Sequence, residues 1–259
     1  MIHPEAGTDT GRKIAVIGGG PAGLSAAFFL RKDGHAVTLF ESHSELGGMM
    51  RYGIPGYRTP RDMLDKEIGR IIDMGVEVRL STCVGTDVSV ETLDAEYDAI
   101  FWAMGAQKGR GLPLEGWDET ENCINGVEFL DAFNQGYVLG TAQKVVVVGG
   151  GDTSIDVASI ARRLGHITDS GELPDHSGFT AHDVAGSVIR DGMSATLTSL
   201  FPIEKMTAAE HEREDALREG VDIKGGVMPT GIKRDDKGRA TALLMCECTM
   251  DGMRPVPVE

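Results

Sequence analysis

Residues 13–41 read KIAVIGGGPAGLSAAFFLRKDGHAVTLFE. Ile14 to Ile17 is a short apolar run that ends in glycine, as a buried strand does. Gly18, Gly20 and Gly23 then spell G-x-G-x-x-G, and Ala22 to Leu30 is alanine-rich and apolar, as a helix lying on a sheet would be. Gly34 stops that helix, and Ala36 to Phe40 is a second strand closed by Glu41. The whole β-α-β dinucleotide fingerprint is therefore present in one piece. Gly18 allows the tight turn, Gly20 lets a pyrophosphate approach the backbone, and Gly23 lets helix and strand pack closely. The helix N-terminus offers free N–H groups and partial positive charge to the phosphates. Glu41 is placed to accept hydrogen bonds from both hydroxyls of an adenosine ribose.

The pattern recurs at residues 144–165, KVVVVGGGDTSIDVASIARRLG. Val145 to Val148 is the strand, and Gly149, Gly151 and Ser154 fill the three small-residue positions. Ile155 to Leu164 is helical and Gly165 stops it, with Asp152 and Thr153 at the start and Thr153 as a candidate cap. Two fingerprints imply two dinucleotides, or one working site and one relic; the retained glycines favour two. The fold class expected is α/β, two Rossmann-like dinucleotide-binding domains with parallel central sheets in three layers.

Between the fingerprints, LGGMMRYGIPGYRTP (residues 46–60) holds too much glycine and proline for a helix or a central strand. Gly47 and Gly48 would let backbone approach a ligand, and Arg51 and Arg58 could contact phosphate or flavin oxygen. An amphipathic helix is expected over 61–75, a strand over 76–84, and a buried strand over 98–105 that ends in Ala103-Met104-Gly105 beside a cofactor.

Composition narrows the options. The chain has 259 residues, 35 of them glycine, and a formal net charge of −15. That balance argues against a nucleic-acid binder and against docking on an anionic membrane. No apolar run is long enough to span a bilayer, and residues 1–12 lack the apolar stretch of a secretion signal. The four cysteines, Cys83, Cys123, Cys246 and Cys248, form no CxxC pair and no cluster-binding run, so a reduced, cytoplasmic setting is expected. Cys246 and Cys248 read as one buried and one exposed thiol.

The motifs together resemble the FAD- and NAD(P)H-binding part of the glutamate synthase small-subunit family. That family is related to dihydropyrimidine dehydrogenase and to flavin subunits of ferredoxin-linked complexes. The resemblance rests on KIAVIGGGPAGLSAAFFL, ESHSELGGMMRYGIPGYRTP, YDAIFWAMGAQKGRGLPLEG and VVVVGGGDTSIDVASIARRLG, and more weakly on IEKMTAAEHEREDALREGVDI. It implies FAD contacts at Gly20, Ala22, Gly23, Glu41, Gly48, Met49, Arg58 and Val84, and a nicotinamide cofactor along Gly151, Asp152, Thr153 and Ser154. Gly18, Pro21, Ser42, Gly47, Arg51, Ala103, Gly105 and Gly149, within or beside the same motifs, complete the candidate set. The domains expected are 12–112 for FAD and 113–259 for NAD(P)H. No catalytic acid or base is assigned, because the cofactors carry the chemistry, hydride passing between nicotinamide and flavin.

The chain departs from that family in three places. Its members typically begin with a cysteine-rich iron–sulfur domain, whereas here the first fingerprint starts by Gly18. Electrons are then expected to pass to or from an iron–sulfur (ferredoxin-like) partner, within a hetero-oligomeric complex. NADPH-using members clamp the 2′-phosphate with two basic residues, and Leu200 and Phe201 stand there, so NAD(H) is favoured over NADP(H). Lys205 or Arg213 remains within conceivable reach. Residues 166–193, with His166, His176 and His182, read as an insertion, a loop or docking element rather than a zinc site. The resemblance also implies a FAD domain incomplete at its C-terminal side, since the chain stops at PVPVE, about where family members return to finish it. The rival readings are a non-catalytic scaffold subunit, and a flavin hydroxylase or amine oxidase that uses only the first fingerprint.

Overall fold

A computed structural model describes residues 4–138, 142–164 and 194–258. The expected insertion at 166–193 and its histidines lie outside the described residues, as does Gly165. The chain divides into two compact units, Met1–Gln107 and Lys108–Glu259.

In the first unit, β1 (Lys13–Ile17), β2 (Ala36–Phe40), β3 (Glu77–Arg79) and β4 (Ala99–Trp102) form one parallel sheet in the order β3-β2-β1-β4. β1 is central, and its five residues pair in register with all five of β2. Helix α1 (Pro21–Lys32) and helix α3 (Arg61–Ile72) cover one face. They bring Leu24, Ala27, Leu64 and Ile68 onto Val16, Val37, Leu39 and Val76. Alternation along the strands turns Ala15, Ile17 and Phe40 to the other face, where Leu93 of α4 (Val90–Glu96) packs on them. This gives the three layers expected. Helix α2 (Met49–Tyr52) is a single turn inside the glycine-rich loop.

Three local expectations change. The strand expected at 76–84 shortens to Glu77–Arg79 because Ser81, at φ +50°, breaks the ladder; the N–H groups of Ser81 and Thr82 then bond to His43 O and Glu41 O just past β2, and Asp87 accepts from Cys83 N–H. The helix expected to reach residue 75 ends at Ile72, and Gly75, at φ +89°, carries the chain out toward β3. β4 is not buried: among the described residues it pairs with β1 alone, so Phe101 and Trp102 remain 43% and 47% exposed.

The second unit holds a parallel sheet in the order β5-β6-β7, from Lys144–Val148, Ser194–Ser199 and Asp222–Gly225. Helix α6 (Asp152–Leu164) lies on it, with α5 (Gly126–Asn134) and α7 (Glu210–Arg218) packed against α6. A short 3-10 turn, Ile203–Lys205, follows β6. An antiparallel sheet, order β10-β9-β8, comes from Val227–Arg234, Ala240–Asp251 and Arg254–Pro257. Cys248 of β9 is buried and Cys246 half-buried. Being two apart on a strand they share a face, and burial first, then the neighbouring Cys246, raises the Cys248 thiol above its usual range. Among the described residues no helix is long and apolar enough to cross a membrane.

Candidate functional site

The first glycine turn sits where β1 hands over to α1. Gly18 N–H is held by Phe40 O, and a Cβ on Gly23 would run into Gly18 O and the Val16 side chain. That is the close helix–strand contact the third glycine was expected to permit. Pro21 is the first residue of α1, and it and Ala22 are exposed, so the helix end opens to solvent. The loop after β2 comes back onto this turn. Gly47 N–H donates to Gly19 O at 2.8 Å, and Gly48, at φ +50°, places its Cα 3.6 Å from where a Cβ on Gly20 would stand. A Cβ on Gly48 would lie 2.6 Å from Gly20 Cα. Two bare backbones therefore face each other at a helix N-terminus, a surface that fits a pyrophosphate.

Glu41, 6% exposed at the end of β2, ties these pieces together. One oxygen, Oε2, accepts from Gly19 N–H at 2.7 Å. The other, Oε1, accepts from His43 N–H at 2.8 Å, His43 Nδ1 at 2.9 Å and the Ser42 hydroxyl at 3.1 Å. Burial pushes the carboxyl pKa up, but these donors outweigh it and hold it below its ordinary value of 4.5. An ionised, buried carboxylate beside the facing backbones of Gly20 and Gly48 fits an adenosine ribose, which presents hydroxyl donors. Ser42 reaches the site through Glu41, and its own side chain is exposed.

The arginines of the loop divide. Arg51 was expected to face a ligand, yet it is buried: Nε donates to Leu46 O at 2.5 Å, and the guanidinium pairs with Asp65 and, at 3.3 Å, with Glu45. Its donors are taken by the Leu46 carbonyl and the Glu45 carboxylate, both ahead of α2, and by Asp65 of α3. Arg58 is half-buried, its N–H closing a turn onto Pro55 O. Sequence reading missed Arg61. It donates to the carbonyls of Met50, Arg51, Ile54 and Thr59 and so pins the whole loop. Burial, then the neighbouring Arg51, lowers its pKa from the usual value. No spacing rule marks such an arginine, because its partners are backbone.

Met49 begins α2, beside Gly48. Val84 makes an isolated bridge to Val88. Ala103 N–H extends the ladder to Ile17 O at 2.8 Å, and its carbonyl lies against Gly18, so the end of β4 does reach the first turn. Gly105, two residues further on, is exposed at φ +67°.

In the second unit, a Cβ on Gly149 would meet Ser154 Oγ, and one on Gly150 would lie 2.6 Å from Ser199 Oγ at the end of β6. The turn is strapped by residues 207–209: Ala208 N–H and the Thr207 hydroxyl both donate to Gly150 O, at 3.0 and 3.2 Å. Gly151 O accepts from Ser154 N–H at 2.9 Å. Thr153, expected as a cap, is the second residue of α6. The side chain that acts at a helix end is Asp152, which accepts from Ala209 N–H at 3.0 Å just before α7. Asp152 and Thr153 are exposed, so this helix N-terminus is also open to a ligand. Leu200 and Phe201 follow β6, with Phe201 O bonded to Gly226 N–H. Of the two basic residues near them, Arg213 donates to Ala208 O at 2.6 Å and Met206 O at 3.4 Å.

Each unit thus carries a parallel sheet with an open glycine turn at a helix N-terminus, the arrangement of a protein with two dinucleotide sites. The chain belongs to the pyridine nucleotide-disulphide oxidoreductase family, whose model matches residues 12–252. It is 33% identical over 236 residues to the NADPH-Fe(3+) oxidoreductase subunit beta of Geobacter sulfurreducens, covering 90% of this chain and 31% of the relative. The NAD-dependent dihydropyrimidine dehydrogenase subunit PreT of Salmonella typhimurium is 35% identical over 204 residues, 75% of this chain and 49% of the relative. The glutamate synthase [NADPH] small chain of Mycobacterium tuberculosis is 39% identical over 171 residues, 61% of this chain and 35% of the relative. The resemblance drawn from the motifs is borne out. The chain spans half or less of the length of these relatives. Among solved structures, FprA from Mycobacterium tuberculosis in complex with NADPH superposes with a TM-score of 0.71 at 18% identity, over 95% of this chain and 66% of that one. This bears out the Rossmann-like fold.

Proposed function

We propose that this chain is a flavin-dependent NAD(P)H oxidoreductase subunit, with FAD in the first unit and the nicotinamide cofactor in the second. The observation that carries the reading is the buried, ionised Glu41 carboxylate joined to Gly19 beside the facing backbones of Gly20 and Gly48. The two cofactors, when bound, supply hydride transfer. The residues of the chain bind and orient. The two helix N-termini take the pyrophosphates, Glu41 takes the ribose, and Arg51 and Arg61 keep the 46–60 loop in one shape. No side chain here is given a proton-transfer role.

Electrons then pass to or from an iron–sulfur subunit or a ferredoxin-like carrier, with this chain as one subunit of a hetero-oligomer in the cytoplasm. Supporting this are relatives that are themselves named as subunits or small chains, and four free thiols with no CxxC pair that could accept the electrons as a disulfide. NAD(H) is the preferred nicotinamide cofactor. Leu200 and Phe201 offer no charge to a 2′-phosphate, and Arg213 is engaged by carbonyls. The relatives are divided in name, NADPH for two and NAD for one.

The test is anaerobic. The purified chain reconstituted with FAD shows flavin absorbance that bleaches when NADH is added, faster than with equal NADPH. A protein that stays colourless after FAD is supplied overturns the reading in favour of a scaffold subunit. Faster bleaching by NADPH overturns the cofactor preference alone.

A further inference from the structure

The sequence suggests that Glu41 receives both ribose hydroxyls. The geometry points to a different division: His43 is a positioning residue that reserves Oε1 for the protein, so that Glu41 offers the ribose one acceptor, on Oε2. The inference rests on the reading of the first unit as an FAD site.

Three donors converge on Oε1, the His43 N–H, the His43 ring nitrogen Nδ1 and the Ser42 hydroxyl. A carboxylate offers about four lone-pair positions, two on each oxygen. Oε1 is therefore fully subscribed, whereas Oε2 accepts one hydrogen bond among the described residues, from Gly19 N–H, fewer than the two it can take. Glu41 is ionised and has no proton to give, so Nδ1 must carry the proton in the bond between them. The imidazole is itself fixed. It stacks on Tyr52, ring centroids 4.3 Å apart and planes 28° from parallel. Tyr52 is buried, donates its hydroxyl to Glu45 O and ends the one-turn helix α2. That helix starts at Gly48, the residue facing Gly20. One continuous set of contacts thus runs from the phosphate turn through α2 and Tyr52 to His43 and sets the rotation of the Glu41 carboxylate.

The experiment titrates the apo chain, by flavin fluorescence quenching, with FAD and with two FAD analogues that carry 2′-deoxy- or 3′-deoxyadenosine. For the wild type, one of the two analogues binds roughly tenfold more weakly than FAD and the other binds within about twofold. Equal, large losses with both analogues overturn the one-oxygen assignment, and this arm needs no variant that has to fold. His43→Phe keeps the stack and removes the ring donor; it weakens FAD roughly tenfold, and His43→Asn, which restores an N–H donor, recovers most of the loss. The His43→Phe penalty shrinks toward unity with the analogue that lacks the hydroxyl read by Oε2. A penalty of the same size for FAD and both analogues marks a merely structural residue and overturns the positioning role. A wild-type chain that takes up no FAD overturns the reading of the first unit itself, a result distinct from any pattern among analogues.

Discussion

Gly48→Ala puts one methyl group between the glycine loop and the first turn. The Cβ would stand 2.6 Å from Gly20 Cα and 3.4 Å from Gly20 N, and both are backbone, so no side chain can swing away. Gly48 also has φ +50° and ψ −133°, a region that L residues enter at a cost of ~1–3 kcal/mol. Relieving the overlap adds a cost typical of overpacking, ~1–3 kcal/mol. The total is ~2–6 kcal/mol. For a unit of this size, each kcal/mol lowers the melting temperature by ~4–8 °C, so a fall of at least ~8 °C is expected by circular dichroism. Gly69→Ala in α3 is the matched control. Nothing lies within 4 Å of its Cβ and it sits inside a helix, so it should stabilise by ~0.5–1 kcal/mol. Gly20→Ala meets only Gly48 Cα at 3.6 Å, an ordinary contact, so it should fold normally while losing FAD. A Gly48→Ala chain that melts like the wild type and binds FAD equally well would refute the argument that these two backbones must touch.

Three further outcomes follow from the same contacts. Glu41 has a depressed folded pKa, so its contribution to stability is complete above the ordinary value of 4.5 and is lost as pH falls through the lower folded value. The urea stability difference between wild type and Glu41→Gln should hold constant from neutrality down to about that value, and a difference that disappears well above it contradicts the assignment. Arg61→Ala leaves the carbonyls of Met50, Arg51, Ile54 and Thr59 without their shared donor. It should cost ~1–3 kcal/mol and speed proteolysis within residues 50–60, and an unchanged cleavage pattern counts against it. Replacing Leu200 and Phe201 together by arginine should shift stopped-flow flavin reduction toward NADPH by at least roughly tenfold, as charge-assisted bonds to a phosphate would. An unchanged NADH to NADPH ratio removes these positions from cofactor choice.

The two nucleotide folds and the place of each turn can be read from the residues alone. The reason is local. A glycine turn between an apolar strand and a small-residue helix is required by backbone geometry, and geometry of that kind leaves its mark at fixed spacing, here at Gly18, Gly20 and Gly23 and again at Gly149, Gly151 and Ser154. Glu41 was legible for the same reason, since it closes the strand that follows. Which polar groups look outward depends on how distant segments pack. Arg51 and Arg58 share one glycine-rich loop in sequence, and packing alone buries Arg51 beneath its partners Asp65 and Glu45. Arg61 lies in no motif because its partners are carbonyls, which every residue has. The exposure of Phe101 and Trp102 depends on β4 having, among the described residues, a neighbour on one side, a property of sheet order that no apolar run records. The division of Glu41 into a reserved and an open oxygen arises where His43, Tyr52 and Gly19 meet, three residues that come together only when the loop folds back on the first turn.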